Sequence, residues 1–307
     1  MSTSFEDKIN EMHRDIETVK IQGATNVALA TLEGMKMAAE VNDGSENLLE
    51  LVESAGFKLS RARENEPLAR NAVKYLLSQI KSTSVNHRVQ VIEAAEEFER
   101  IIKESKQKIM SIGDEVLSKY QIVLTHCHSS TSTGAIVDAV EKNPDMVVVS
   151  TETRPLYQGR KTAKELLESG VNVTQIVDSA SASFIVDDRY LPVEAAVIGA
   201  DEVFVDGRVI NKVGSYQIAL AVEDGKDELY VFASLLKIDP TGQSSEPNIE
   251  MRPAKEIWED APKDLNIINP SFEIIPARLV TAYITEAGVL RANELKPALK
   301  NTYPWIY

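Results

Sequence analysis

The first third of the chain has apolar residues at intervals of three and four positions, and this spacing predicts a series of helices. The pattern is clearest around Val89 and Ile92, where each apolar residue is followed by another three or four positions later. Runs typical of strands do not interrupt it. The sequence therefore predicts a helical N-terminal domain over residues 1–112, whose last helix is expected to begin near residues 82–84 and to end at Ser111.

The remaining residues, 113–307, alternate short apolar runs with helical stretches. The apolar runs are Gln121–Thr125, Met146–Ser150, Val173–Val177, Ala195–Ile198 and Leu229–Phe232. Runs that are apolar at consecutive positions are typical of parallel strands buried on both faces. The helical stretches between them are Thr133–Glu141, Gln158–Ser169 and Tyr216–Val222. A strand and a helix in roughly every 25 residues is typical of βαβ units. The pattern predicts an α/β protein with a Rossmann-like, doubly wound, mostly parallel sheet.

Composition and charge exclude several classes of partner. The 307 residues include 33 basic and 47 acidic side chains, for a formal net charge of -14. Binding to a phosphate backbone or an anionic membrane needs an excess of cations on one face, so neither nucleic acid nor membrane is expected as a direct partner. The N-terminus is polar and no window resembles a membrane span, which predicts a cytoplasmic protein. A single cysteine, Cys127, excludes an intrachain disulfide.

Polar residues after the first strand run suit an active site, because ligands of doubly wound sheets bind beyond the carboxyl ends of the strands. The segment Thr125–Gly134 brings His126, Cys127 and the hydroxyls of Ser129 and Ser130 to the start of a helix. Amides and hydroxyls there suit a phosphate, and the field of the helix is expected to lower the pKa of the thiol. A buried cysteine beside a polar helix cap explains the same residues equally well. A zinc site is disfavoured because adjacent side chains alternate in direction.

Two arginines follow the second strand run. Arg154 precedes Pro155, and Arg160 lies near the start of the next helix. Guanidinium groups match phosphate geometry, so both are candidate anion ligands in an otherwise acidic half of the chain. Surface salt bridges are the other interpretation.

The fourth strand run leads to Asp201, and a returning segment carries Asn211 and Lys212. A carboxylate, an amide and a cation assembled at a strand end suit acid–base chemistry on a polar substrate. A β-hairpin with its turn at Asp206 and Gly207 is the other interpretation of this segment. It does not explain Asp201, Asn211 or Lys212.

The sequence also predicts where two further segments lie. The polar residues 241–247 are expected to form a loop at the surface or over a site. The aromatic tail Asn301–Tyr307 is expected to dock on the same chain or on a partner.

Several ordered motifs together resemble the initiation factor 2B alpha/beta/delta family, which also contains sugar-phosphate isomerases. The motifs are THCHSS, TETRPLYQGRKTAKEL, IVDSA, GADEVFVDG, VINKVGSYQIALA and ITEAGV, within residues 120–290, with a weaker echo, KIQGATNVA, at residues 20–28. Catalytic members, namely methylthioribose-1-phosphate isomerase and archaeal ribose-1,5-bisphosphate isomerase, carry a cysteine after the first strand and an aspartate in the GAD motif. Cys127 and Asp201 hold those positions here.

The form of the motifs is more similar to that of the ribose-1,5-bisphosphate enzyme. The resemblance then implies conversion of ribose 1,5-bisphosphate to ribulose 1,5-bisphosphate in archaeal AMP metabolism, with no metal or other cofactor and with AMP as an activator. It implies that Cys127 and Asp201 are catalytic, and leaves proton and hydride transfer open. The implied substrate-binding residues are Gln22, Gly23, Ala24, His126, Ser129, Ser130, Arg154, Gln158, Arg160, Asn211 and Lys212.

One position departs from the family pattern. Gln22 stands where the isomerases carry an arginine that is expected to contact phosphate. The site then either tolerates the loss, holds one phosphate, or belongs to a regulatory subunit that senses a sugar phosphate.

The resemblance also implies a homodimer or a hexamer of three dimers. The alternative function is a translation initiation factor 2B alpha-type regulatory subunit, which binds initiation factor 2 and a sugar phosphate or nucleotide without catalysis. A sugar-phosphate-binding module of unknown role is a third interpretation.

Overall fold

A computed structural model describes residues 4–41, 47–80, 86–187, 189–240 and 247–307. Its first part is helical, as predicted. The helices are α1 (Phe5–Glu17), α2 (Ala24–Val41), α3 (Leu48–Ser60), α4 (Pro67–Gln79) and α5 (His87–Leu117). The central helix, α2, buries Val27, Leu32 and Met35 completely against its neighbours. Pro67 opens α4, where its missing N–H breaks no hydrogen bond.

The last helix does not end at Ser111, as the sequence suggested, but continues to Leu117. The sequence pattern changes at Gly113, but this glycine lies within the helix. Its missing side chain lets α5 pack closely, because a Cβ there would collide with the ring of Phe232. The predicted start of this helix falls partly on residues 81–85, outside the described residues. The division at residue 112 into two domains stays a prediction.

The second part is built on a mostly parallel sheet of seven strands, in the order β11-β10-β7-β4-β1-β2-β3. The strands in chain order are β1 (Ile122–His126), β2 (Val147–Thr151), β3 (Asn172–Ile176), β4 (Ala195–Gly199), β5 (Glu202–Phe204), β6 (Val209–Lys212), β7 (Glu228–Phe232), β8 (Ile238–Asp239), β9 (Phe272–Ile275), β10 (Ala282–Thr285) and β11 (Gly288–Leu290). Within the large sheet, β11 alone pairs antiparallel. The five apolar runs are all strands of this sheet, and the predicted α/β class is confirmed.

The helices of this part are α6 (Ser130–Lys142), α7 (Gln158–Glu168), α8 (Ser181–Val186), α9 (Ser215–Gly225) and α10 (Ala292–Thr302). Both faces of the sheet are covered, since neighbouring residues of β1, Val123 and Leu124, join two different apolar clusters. A second, four-stranded sheet has the order β8-β5-β6-β9. Its β5–β6 hairpin turns at Asp206 and Gly207, where Gly207 has φ 90°. The hairpin interpretation of that turn is therefore correct.

The C-terminal tail docks on the helical part of the same chain. The Trp305 ring lies 5.1 Å from that of Tyr75 and 5.8 Å from that of Phe98, centroid to centroid. Ile306 is completely buried. Of the predicted polar loop at 241–247, residues 241–246 lie outside the described residues. Within the described ranges, no helix is both long and apolar enough to span a bilayer.

Candidate functional site

A cavity of about 490 Å³ opens where the carboxyl ends of β1 and β4 meet the small sheet and the start of α2. Its volume lies in the range of small-molecule sites. Most of the residues that the sequence singled out line it. These are Gln22, Gly23, Ala24, His126, Cys127, Ser129, Ser130, Gln158, Asp201, Asn211 and Lys212.

Cys127 and Asp201 come to the same cavity because they follow neighbouring strands. β1 and β4 are parallel, and His126 pairs with Ile198 in the register. The residues after both strands therefore emerge at one edge of the sheet. Gly199 allows the two strand ends to lie close, since a Cβ there would come within 2.8 Å of the Ser129 Cβ. Both residues therefore line one cavity, as the catalytic hypothesis requires.

The Cys127 thiol has a raised pKa, contrary to the expectation from the helix. Burial raises it to about 11, outweighing the opposite effect of the Lys212 charge. The expectation was wrong because desolvation of a thiolate outweighs the field of α6, which begins three positions later at Ser130. At neutral pH the unliganded protein therefore holds a protonated thiol.

Burial also raises the pKa of the Asp201 carboxyl, while Lys237, Lys212 and Arg63 act against that rise in this order. The Asp201 backbone is fixed by a hydrogen bond from its N–H to the Ile210 carbonyl, 2.9 Å away. The site thus combines a protonated thiol with a carboxyl group held among cations, two groups able to exchange protons with a substrate.

The His126 ring is buried, and both of its nitrogens have hydrogen-bond partners within the protein. Its Nε2 lies 2.9 Å from the Val213 carbonyl oxygen and its Nδ1 lies 2.6 Å from Thr151 Oγ1. A carbonyl only accepts, so Nε2 carries the proton and Nδ1 accepts from the threonine. Burial lowers the pKa of His126 to about 4. Gly214, at φ 106°, completes this packing because any Cβ would come within 2.7 Å of the ring.

His128 also lines the cavity. Its Nδ1 lies 3.0 Å from Thr162 Oγ1, whose own proton goes to the Cys127 carbonyl oxygen at 2.8 Å. Nδ1 is therefore the donor. Burial lowers the pKa of His128. In the described part of the chain no group of three or more His, Cys, Asp and Glu side chains is arranged to hold a metal ion.

The lining of the cavity is strongly basic although the chain is acidic. Seven basic side chains reach it, namely Lys20, Arg63, Lys106, Lys161, Lys212, Lys237 and Arg252. Among the described lining residues Asp201 is the one acidic side chain. Two helix N-termini, those of α2 and α6, add backbone amides at the same place. This arrangement suits a ligand that carries several negative charges.

The structure does not place Arg154 and Arg160 in the lining. Arg154 donates to Tyr157 Oη at 2.7 Å and to the Ile257 carbonyl at 2.8 Å. Arg160 pairs with Glu152 at 2.8 Å and its side chain is 58% exposed. Both guanidinium groups lie over the Tyr157 ring. Both side chains lie against Tyr157 and outside the described lining, so the structure does not bring these two arginines to the cavity, and their role as phosphate ligands stays a prediction.

Sequence analysis missed six of the basic lining residues, and four of them come from segments far from the strand ends it examined. Arg63 joins the helical part to the sheet part through Glu250, at 2.9 Å, and also pairs with Glu66 at 2.8 Å. Arg252 pairs with Glu250 and Glu256. Lys161 and Lys237 are the two exceptions, since Lys161 follows Arg160 directly on α7 and Lys237 lies five residues after the end of β7.

Comparisons with known proteins give relatives over nearly the whole chain. The family model described as "Initiation factor 2 subunit family" matches residues 20–292. The ribose 1,5-bisphosphate isomerase of Methanocaldococcus jannaschii is 31% identical over 98% of this chain and 97% of its own length. A methylthioribose-1-phosphate isomerase of Dehalococcoides mccartyi is 30% identical over 94% of this chain and 92% of its own. The crystal structure of the Pyrococcus horikoshii translation initiation factor eIF-2B superposes with a TM-score of 0.81 at 27% identity, covering 93% of this chain and 97% of that one.

Proposed function

Because this chain belongs to the initiation factor 2 subunit family, we propose that it is a sugar-phosphate isomerase that converts ribose 1,5-bisphosphate to ribulose 1,5-bisphosphate. The observation that carries the proposal is that Cys127 and Asp201 both line one basic cavity. A binding site alone has no need of this pair.

The basic lining supports a substrate with two phosphates. Seven cations and one carboxylate give the lining a clear positive excess within a chain of net charge -14. Lys20 and Arg63 reach the cavity alongside Gln22, and we infer that they replace the charge that the glutamine lacks. In the same proposal Lys212, the Ser129 and Ser130 hydroxyls and the Gly23 amide bind phosphate, and Asn211 bonds a sugar hydroxyl.

The reaction needs an acid and a base, because an anomeric oxygen that carries phosphate blocks the usual opening of the hemiacetal ring. The C1–O4 bond breaks and O4 gains a proton, the hydrogen on C2 passes to C1, and the 2-hydroxyl gives up its proton as the ketone forms. We assign these proton transfers to Cys127 and Asp201, with no metal or other cofactor. General acid–base groups contribute about a hundred- to ten-thousand-fold each.

The test is an assay of the purified chain with ribose 1,5-bisphosphate, with and without AMP, beside methylthioribose 1-phosphate. We expect turnover of the bisphosphate, and we expect Cys127→Ser to abolish it while binding is nearly unchanged. Unchanged turnover in that variant would refute the assignment. In D₂O, proton transfer places deuterium at C1 of the product, whereas a hydride shift leaves C1 unlabelled.

A second function is supported by one comparison. The superposed Pyrococcus horikoshii structure is titled a translation initiation factor, and Gln22 departs from the isomerase pattern. A regulatory subunit would bind initiation factor 2 and would leave both sugar phosphates unchanged. Capture of purified initiation factor 2, together with an absence of turnover, would favour it.

We also propose a homodimer or a hexamer of three dimers. Exposed apolar side chains such as Trp258, at 51%, and Ile268, at 68%, support a self-associating surface. Light scattering of the purified chain distinguishes two copies from six, and a monomer would contradict the proposal.

A further inference from the structure

Cys127 has a backbone conformation that side chains rarely adopt. Its φ is 66°, in the left-handed region, although it is not a glycine. Two hydrogen bonds hold it there. The Cys127 N–H donates to Thr153 Oγ1 at 2.9 Å, and its carbonyl oxygen accepts from Thr162 Oγ1 at 2.8 Å. Such strained residues persist where the surroundings fix them, and here two threonine hydroxyls do so.

Thr153 is itself held in a left-handed conformation, with φ 61°. Its N–H donates to one oxygen of the Asp178 carboxylate at 2.7 Å, and the next amide, that of Arg154, donates to the other oxygen at 2.6 Å. Asp178 lies two residues after the end of β3 and Thr153 two residues after the end of β2, and these strands are neighbours. One carboxylate therefore fixes two consecutive amides by charge-assisted hydrogen bonds.

The Thr153 side chain leaves no room for a larger neighbour. A Cβ at Gly159 would come within 2.8 Å of Thr153 Oγ1 and would collide with the Thr151 carbonyl. Thr153 and Thr162 are both buried, and neither belongs to the described lining of the cavity. Asp178 is also outside that lining. The two threonines thus hold the Cys127 backbone, and Asp178 holds that of Thr153, from outside the cavity.

We propose that Thr153 and Asp178 are positioning residues, which hold the Cys127 backbone left-handed so that the thiol faces the cavity. The expected change in rate rests on the proposed function, whereas the role in holding the Cys127 backbone does not. Misplacing a reacting group by about 1 Å costs on the order of a hundredfold in rate. The expected loss is in kcat, because the groups that bind phosphate are untouched.

The kinetic test compares Thr153→Val, which keeps the shape and removes the oxygen, with Thr153→Ser, which keeps the oxygen. We expect Thr153→Val to lower kcat about a hundredfold with KM within about twofold, and Thr153→Ser to restore most of kcat. Asp178→Asn, which replaces one acceptor by an NH₂ group, is expected to fall between them. Thr133→Val is the matched control, since Thr133 Oγ1 is buried without a hydrogen-bond partner. Equal kcat in the valine and serine variants would overturn the proposal.

A second readout does not depend on the substrate. Cys127 is the chain's single cysteine, so alkylation by iodoacetamide, followed by mass spectrometry at fixed pH, reports on this turn alone. Releasing the turn is expected to speed alkylation at least tenfold in Thr153→Val and not in Thr153→Ser or Thr133→Val, at equal melting temperature. An unchanged rate in Thr153→Val would refute the positioning role even if the natural chain turns over no bisphosphate. Faster alkylation without any turnover would refute the proposed function alone.

Discussion

Lys237 donates a hydrogen bond from Nζ to the carbonyl oxygen of Ala200, 2.6 Å away, and so holds the backbone directly before Asp201. Lys237 follows β7 and Asp201 follows β4, which is the neighbouring strand. Of the charges that oppose the rise in the pKa of Asp201, that of Lys237 is the strongest. Lys237 therefore holds the backbone before the candidate catalytic carboxyl and also favours the ionised form of that carboxyl.

Replacing this lysine by Met should raise the pKa of Asp201, since a stabilising cation is lost. The protonated carboxyl then persists to higher pH, and the pH below which the rate falls moves upward. Losing a hydrogen bond from a charged group predicts about a ten- to hundredfold drop in kcat/KM at neutral pH. A pH–rate profile measures both effects. Lys255→Met, at an exposed lysine outside the lining, is the control, and an acid limb that stays in place would contradict the prediction.

The Cys127 thiol should react slowly with alkylating reagents at neutral pH, because the thiolate is the nucleophile and burial raises the pKa to about 11. The rate constant for iodoacetamide should rise with pH up to about 11. Lys212→Met removes a charge that lowers this pKa, so its curve should move to higher pH. A midpoint near the ordinary thiol value in the unliganded protein would contradict the prediction.

Neighbouring cations on α7 should differ in their effect on substrate binding. Lys161 lines the cavity, whereas Arg160 pairs with Glu152 outside it. Lys161→Ala should raise KM about five- to tenfold, the value of one modest hydrogen bond, while Arg160→Ala should leave KM within about twofold. Steady-state kinetics with the bisphosphate measure both variants. A larger rise in KM for Arg160→Ala than for Lys161→Ala would contradict the prediction and would favour Arg160 as a phosphate ligand.

The buried Glu202 should make the fold less stable as pH rises. Burial raises its pKa from the ordinary 4.5 to about 7, against the effect of Arg70. The protonated form is favoured in the folded state, so this contribution is fully present below about pH 4.5 and is lost as pH rises through about 7. Relative to Glu202→Gln, the free energy of unfolding should fall by about 3 kcal/mol across this window. Urea titrations of both proteins measure it, and parallel pH curves would contradict the prediction.

The central strands could be predicted because parallel strands in a sheet interior carry several consecutive apolar residues. β1, β4 and β7 are of this kind. The outer strands β10 and β11 went unrecognised because they are short, with four and three residues. α10 also escaped prediction, since it contains Pro297, which normally ends a helix.

The candidate catalytic pair could be predicted because a strand end is a local feature of the sequence. Two of the cations could not, since Arg63 and Arg252 reach the cavity from the α3–α4 connection and from the segment before β9. Their places follow from tertiary contacts alone. The sign of the Cys127 pKa shift was mistaken for the same reason, because burial depends on what the rest of the chain packs over the thiol.

The helix α5 crosses from one half of the molecule to the other without a break. Phe98 packs beneath the C-terminal tryptophan, while Ile109 and Leu117 are buried against the seven-stranded sheet. A continuous helix of this kind cannot bend sharply without losing consecutive main-chain hydrogen bonds. The helical part and the sheet part are therefore joined by one continuous helix, and a hinge-like opening of one part away from the other would have to break hydrogen bonds within α5.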